Sequence, residues 1–268
     1  MWHPFSVPCG RGVPLFGINL ITLTWKGFFA MKYIRSEKYS TRAINDLLMG
    51  PNPVKLTEEL LLDHQIPNGA TVMDLGCGRS VTSVFLAKEY GFRVFATDLW
   101  ISATENRQFF DRMGLSGDRI IPIHADATAL PYAEEFFDAV VSVDSYQYFG
   151  RDPEYLGRHL LPLVKHGGYI YICIPGMKKD CHAQLPPELL LSWTPEQLDT
   201  IHDADYWRNI ISQTRGVDIL SIHEMESNEE VWNDWLACDN EYARGDRKSM
   251  EAGGGKYLNF IAIVLRRR

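Results

Sequence analysis

Apolar positions follow two alternating rhythms along most of this chain, short uninterrupted runs and stretches with helical spacing. Asn52 and Pro53 supply a helix N-cap and a first helical residue, and Leu56, Leu60, Leu61 and Gln65 carry that helix toward Pro67. The run "ATVMDLG" (70–76) then reads as a buried strand, "VTSVFLAKEYG" (81–91) as a helix stopped by Gly91, and "FRVFATDLW" (92–100) as a second strand. A helix over 102–114, strands over 119–126 and 137–146, a helix near 153–166 and a strand over 169–175 continue the alternation. Further on, 203–216 reads as a helix, 217–225 as a strand and 256–268 as a closing strand. Strands and helices alternating at this spacing predict βαβ units: an α/β fold with a mainly parallel sheet covered on both faces. In such sheets ligands bind beyond the carboxyl ends of the strands.

Composition narrows the function classes. The 268 residues carry a formal net charge of −7, which opposes a nucleic-acid backbone as partner. The one basic run, Arg266-Arg267-Arg268, reads as a solvated tail. Five cysteines, odd in number and without a CxxC pair, suggest neither a disulfide framework nor a metal site, and they point to a reducing cytoplasm. Residues 13–30 are mostly apolar, but Asn19 and two glycines interrupt them and they fall short of the roughly 20 residues of a membrane span. The functional domain is expected to begin at Met31, with 1–30 an extension of unclear role and no membrane contact.

Four strand exits carry polar groups: Asp74 with its glycine turn, Asp98, Asp126, and the segment from Ser142 to Tyr148. Singly, each acid reads as a turn former or cap. Together they suit one ligand. Gly76 and Gly78 let backbone approach a ligand at the start of a helix whose N–H groups are free. Asp98 follows Asp74 by 24 residues, about the spacing that brings an acid to a ribose diol. A dinucleotide turn wants G-x-G-x-x-G, whereas this one reads Asp-x-Gly-x-Gly-Arg-Ser; no Gly-Lys-Ser/Thr follows, which excludes a P-loop. An acid ahead of the glycines repels a pyrophosphate and suits an ammonium group, as in S-adenosylmethionine (SAM).

The stretches "VMDLGCGRS", "VFATDLW", "HADATALPY" with "FDAVVSVDSYQYFG", and "GGYIYICIP" resemble, in order and spacing, the motifs of the class I SAM-dependent methyltransferases. The resemblance covers roughly residues 54–175. It implies a Rossmann-like, seven-stranded sheet of order 3-2-1-4-5-7-6 whose last strand is antiparallel, with SAM as donor and S-adenosylhomocysteine (SAH) as product. It also implies that Asp74, Gly76 and Gly78 border the methionine moiety, with Ser80 nearby, and that Asp98 meets the ribose hydroxyls. Asp126 and Ala127 would meet the adenine, Leu99 would border it with Trp100, and Ser142 would face the methyl group.

The acceptor is expected beside Asp144, Tyr146 and Tyr148. His124 reads as a core histidine, and the neighbours Cys181 and His182 as loop residues. Residues 226–255 read as an insertion or lid before the last strand, with Trp232 and Trp235 on one helical face. The expected function is methyl transfer to a small molecule by in-line displacement; a non-catalytic SAM-binding protein with a partner-binding surface is the alternative. No nucleic-acid partner is expected, and a homodimer stays open.

Overall fold

Residues 32–268 are described by the computed structural model; the extension over 1–30 lies outside the described residues. Two short helical turns, α1 (Ile34–Glu37) and α2 (Arg42–Asn45), lead to α3 (Pro53–Leu60). The Asn52 side chain caps α3 by accepting from the N–H groups of Val54 and Lys55, as the sequence predicts. The helix ends at Leu61, short of Pro67.

The sheet elements follow: β1 (Thr71–Leu75), α4 (Val81–Glu89), β2 (Arg93–Asp98), α5 (Ala103–Arg112), β3 (Ile120–His124), β4 (Phe137–Val143) and β5 (Val164–Met177). After α6 (Pro195–Leu198) and α7 (Ala204–Ser212) come β6 (Val217–Glu224), α8 (Asn228–Leu236), α9 (Glu241–Glu251) and β7 (Leu258–Arg267). The strands form one sheet in the order β3-β2-β1-β4-β5-β7-β6. Strands β1 to β5 pair in parallel, and β7 runs antiparallel to both β5 and β6. This is the Rossmann-like arrangement that the motifs imply.

The helix expected near 153–166 is instead a π turn (Leu156–Leu160) followed by a 3-10 turn (Leu161–Leu163). Pro162 has no N–H to continue an α-helical ladder, and β5 starts directly after it.

The pleat of β1 divides the core. Val72 packs into one cluster with Val84, Phe85 and Leu86 of α4, and Met73 into another with Trp207 and Ile211 of α7. Each large side chain fully removed from water contributes on the order of 1.5–3 kcal/mol, so the β1–β4 pair is held from both faces. The strand exits that build a site are therefore fixed. Among the described residues no helix is long and apolar enough to cross a membrane.

Helices α8 and α9 fill the region read as an insertion or lid. Trp235 is fully buried and Trp232 nearly so. The indole N–H groups of Trp193 and Trp235 both donate to Asp246 of α9, at 3.0 and 2.8 Å. Helix α8 also grips α3: Asp234 accepts from Asn52 Nδ2 at 2.8 Å and pairs with Lys55 at 2.9 Å.

Candidate functional site

A cavity of about 320 Å³ opens over the exits of β1, β2 and β4, within the few-hundred-Å³ range of small-molecule sites. Its wall includes Gly76 and Gly78, and then Asp98, Asp126, Asp144 and Tyr148. These come from four separate parts of the chain.

At the first exit the chain turns sharply. Gly76 and Gly78 adopt φ of 74° and 52°, a region costly for residues with a Cβ. A Cβ on Gly76 would collide with Ser145 Oγ, so this glycine also lets the β4 exit close on the turn. Ser142 and Ser145 both donate to the Leu75 carbonyl, at 2.9 and 2.8 Å, and fasten that closure.

Asp98 stands where β2 ends. Its Oδ2 accepts from the Gly78 N–H at 2.7 Å, and Oδ1 from the N–H groups of Trp100 and Ile101 at 2.7 and 2.8 Å. Hydrogen bonds to an ionised acceptor are the strong ones, so this carboxylate fixes both the glycine turn and the loop after β2. Asp126 has Oδ1 engaged by the N–H and hydroxyl of Thr128, which hold its carboxyl below the usual range. Ala127 lies beside it on the wall, and Leu99 and Trp100 flank the opening. The Trp100 and Tyr148 rings, both exposed, approach with centroids 5.5 Å apart.

Four expected site residues stand behind this wall rather than on it. Asp74 is buried, and its Oδ2 accepts from the hydroxyls of Thr82 and Ser83, both at 2.6 Å, in the first turn of α4. Burial pushes its carboxyl up to about 6, against the opposing pull of the two hydroxyls. Asp74 thus braces the turn from below. Ser80 is buried with its hydroxyl 3.2 Å from Cys77 Sγ, and Ser142 is spent on the Leu75 carbonyl. Tyr146 has its ring in the second core against Tyr155 and Trp207. The 3-10 turn Tyr146–Tyr148 explains the split, sending Tyr146 inward and Tyr148 out to the cavity.

His124 is exposed at the sheet edge, its Nε2 2.7 Å from the Leu99 carbonyl, which corrects its reading as a core histidine. His182 is held by Asp180 and the Leu198 carbonyl, and Cys181 by Met177; neither lines the cavity.

Asp144 departs most from ordinary carboxylate behaviour. It leaves β4 with φ 56°, its Oδ1 accepts from Gln147 Nε2 at 3.1 Å, and burial pushes its carboxyl up to about 7. Two wall features escaped sequence reasoning. Residues 47–51, ahead of α3, close one side of the cavity, and Gly50 sits against Asp144, where a Cβ would lie 2.5 Å from Oδ2. The Gly50-Pro51-Asn52-Pro53 run was the available signal, legible as a turn but not as a wall.

Residues 73–172 match a family described as a methyltransferase domain. The observed strand order agrees with this match. Residues 73–172 thus carry a methyltransferase domain, and the sheet has the strand order of the class I SAM-dependent methyltransferases. SAM is the methyl donor of this methyltransferase family. Among curated relatives, the chain is 34% identical over 109 residues to 2-methyl-6-phytyl-1,4-hydroquinone methyltransferase of Synechocystis sp., covering 40% of this chain and 32% of that one. It is 26% identical over 173 residues to a protein named as a probable arginine N-methyltransferase of Arabidopsis thaliana, covering 62% and 35%. The matches thus span about a third of the length of these relatives. In fold it is similar to phosphoethanolamine N-methyltransferase 2 of Haemonchus contortus, solved with SAM, at a TM-score of 0.65 and 16% identity, covering 87% of this chain and 58% of that one.

The residues present fit SAM. The cradle needs two glycines, and three carboxylates (Asp98, Asp126, Asp144) face one cation, Arg79, on the cavity wall. That balance favours a ligand carrying positive charge.

Proposed function

We propose that this methyltransferase acts on a small-molecule acceptor that enters beside Asp144 and Tyr148. One observation carries the reading: a single cavity joins the glycine turn and Asp98 to Asp144 and Tyr148. Donor and acceptor groups can then meet in one space, from which the Trp100–Tyr148 pair helps to exclude water.

In this reading the backbone at Gly76 and Gly78 holds the methionine part of SAM. Asp98 accepts from the ribose hydroxyls, pre-oriented by its three N–H partners, and Asp126 and Ala127 meet the adenine. When bound, SAM supplies a methyl carbon activated by its sulfonium. The protein's work is alignment of the acceptor, which accounts for much of the rate in displacements of this kind. The acidic wall disfavours a polyanionic acceptor, and the apolar side formed by Leu47, Leu48 and Met49 favours one with an apolar body. Cys77, Cys173 and Cys238, buried as free thiols, support a reducing cytoplasmic setting.

The test is transfer of a labelled methyl group from SAM, with the purified protein, into cell extract separated into small-molecule and protein fractions. Label in the small-molecule fraction is expected. Label confined to the protein fraction would replace this reading with a protein acceptor. Binding of SAM with no label in either fraction would favour a non-catalytic SAM-binding protein.

A further inference from the structure

The acceptor side of the cavity contains a polar arrangement that the donor does not use. Asp144 shares its side of the wall with the apolar Leu47, Leu48, Met49, Pro51, Val143 and Phe149, and with Ser145 and Tyr148. Its carboxylate makes one hydrogen bond among the described residues, from Gln147 Nε2 to Oδ1. Gln147 is itself buried, and its Oε1 has no partner. Asp144 Oδ2 lies directly over Gly50, the one small residue between Met49 and Pro51. Behind the wall the buried Gln147 Oε1 lacks the donor that such acceptors normally have, and on the wall the half-buried Asp144 has an Oδ2 that accepts from none of the described residues.

The charges around Asp144 point the same way. Asp246 of α9 acts on it and raises its carboxyl further, while Tyr148 of its own turn and Cys173 of β5 are the other titratable groups near enough to feel it. None of these is a cation. Arg79, the cation on the wall, is bonded to the Asp46 carbonyl at 3.3 Å.

Building on the methyl-transfer reading, we propose that the acceptor has a hydroxyl or amine head on an apolar body, and that Asp144 takes the proton this head gives up. The lone pair of the acceptor's nitrogen or oxygen forms the new bond to the methyl carbon. The methyl–sulfur bond breaks with its electron pair left on sulfur, and the acceptor's proton passes to Asp144 Oδ2 and then to solvent. Gln147 holds the carboxylate in place and is a positioning residue. Carboxylate and phosphate heads are excluded from this end, because they bring only acceptors and a like charge.

The test combines product chemistry with two variants. With 13C-methyl SAM and the small-molecule fraction of cell extract, NMR of the product should place the label on nitrogen or on a hydroxyl oxygen. Asp144→Asn should lower kcat/KM by about 100-fold or more, the usual range for loss of a positioned base, while SAH affinity changes by less than about threefold. Gly50→Ala, which crowds Oδ2 without altering any charge, should lower kcat/KM in the same direction with SAH binding retained. In the SAH complex, carboxyl-carbon NMR should show Asp144 titrating near 7, and the acid limb of kcat/KM should disappear in Asp144→Asn. Label on carbon, on a carboxylate or on a phosphate overturns the proposal. So does an Asp144→Asn protein with unchanged kcat/KM, or an Asp144 carboxyl titrating in the ordinary range. SAH binding with no label transferred at all would instead remove the methyl-transfer reading on which the proposal rests.

Discussion

Asp144 shows how one residue can serve a site at a cost to the fold. A carboxylate pushed up to about 7 from an ordinary 3.8 binds its proton more tightly in the native state than in the unfolded chain. Between about pH 4 and 7 the native state thus holds more protons, and the contribution of Asp144 to stability declines as pH rises through that window. Asn accepts the left-handed backbone at this position as readily as Asp does, so Asp144→Asn should fold. It should be more stable than the parent at pH 8 by about 1–3 kcal/mol, with the gain fading toward pH 4, as denaturant melts at the two pH values will show. Asp74, pushed up to about 6 by burial, acts in the same sense in both proteins and cancels in the difference. At this scale the sequence reveals some residues and hides others. Asp98 ends β2 and Asp126 follows the end of β3 by two residues, so their place at the cavity follows from strands whose pattern is plain. The separation of Tyr146 from Tyr148 depends on a 3-10 turn that leaves no periodic trace, and Gln147 gains meaning only from the carboxylate it touches.

Among the elements, the join between α3 and α8 has the clearest consequence. Asp234 ties Asn52 and Lys55 to α8, the Asn52 N–H donates to the Val231 carbonyl, and Glu59 accepts from the N–H groups of Glu226 and Ser227. The bonds of Asn52 and Lys55 anchor the start of α3 and those of Glu59 its end, and the cavity wall over 47–51 leads directly into that start. Asp234→Ala leaves Lys55, with a side chain only 10% exposed, short of one carboxylate partner. It should cost about 1–3 kcal/mol in chemical denaturation. It should also raise the acceptor's KM more than it weakens SAH binding, since the donor end rests on β1 and β2. Residues 226–255 were expected to form an insertion or lid. In the structure Trp235 and Trp232 are packed into the core, and Asp246 joins Trp235 to Trp193, while no residue of this segment lines the cavity. The three-residue spacing of the tryptophans announced a buried face, but sequence has no means of naming what that face packs against. Pro162 marked the irregular stretch before β5, a signal that outweighs the apolar period around it.

For the whole molecule, the alternation of strand and helix revealed the α/β class, and the motif resemblance supplied the strand order. Both the continuous apolar run of β1 and the Asp-x-Gly-x-Gly turn survive as physical facts in the structure. The role of Asp74 changed: its carboxylate braces α4 through Thr82 and Ser83, and the acidic character of the cavity comes from Asp98, Asp126 and Asp144. The acceptor half was less legible because its wall comes from residues 47–51 and 143–149, about a hundred positions apart. We propose that the glycine turn and Asp98 seat SAM. Calorimetric titration of the purified protein with SAH, repeated with NAD and with Asp98→Ala, tests it most directly. We predict saturable one-to-one SAH binding, no NAD binding, and a loss of about 1.5–3 kcal/mol in SAH affinity for Asp98→Ala. NAD binding without SAH binding, or an Asp98→Ala protein with unchanged SAH affinity, would contradict the account.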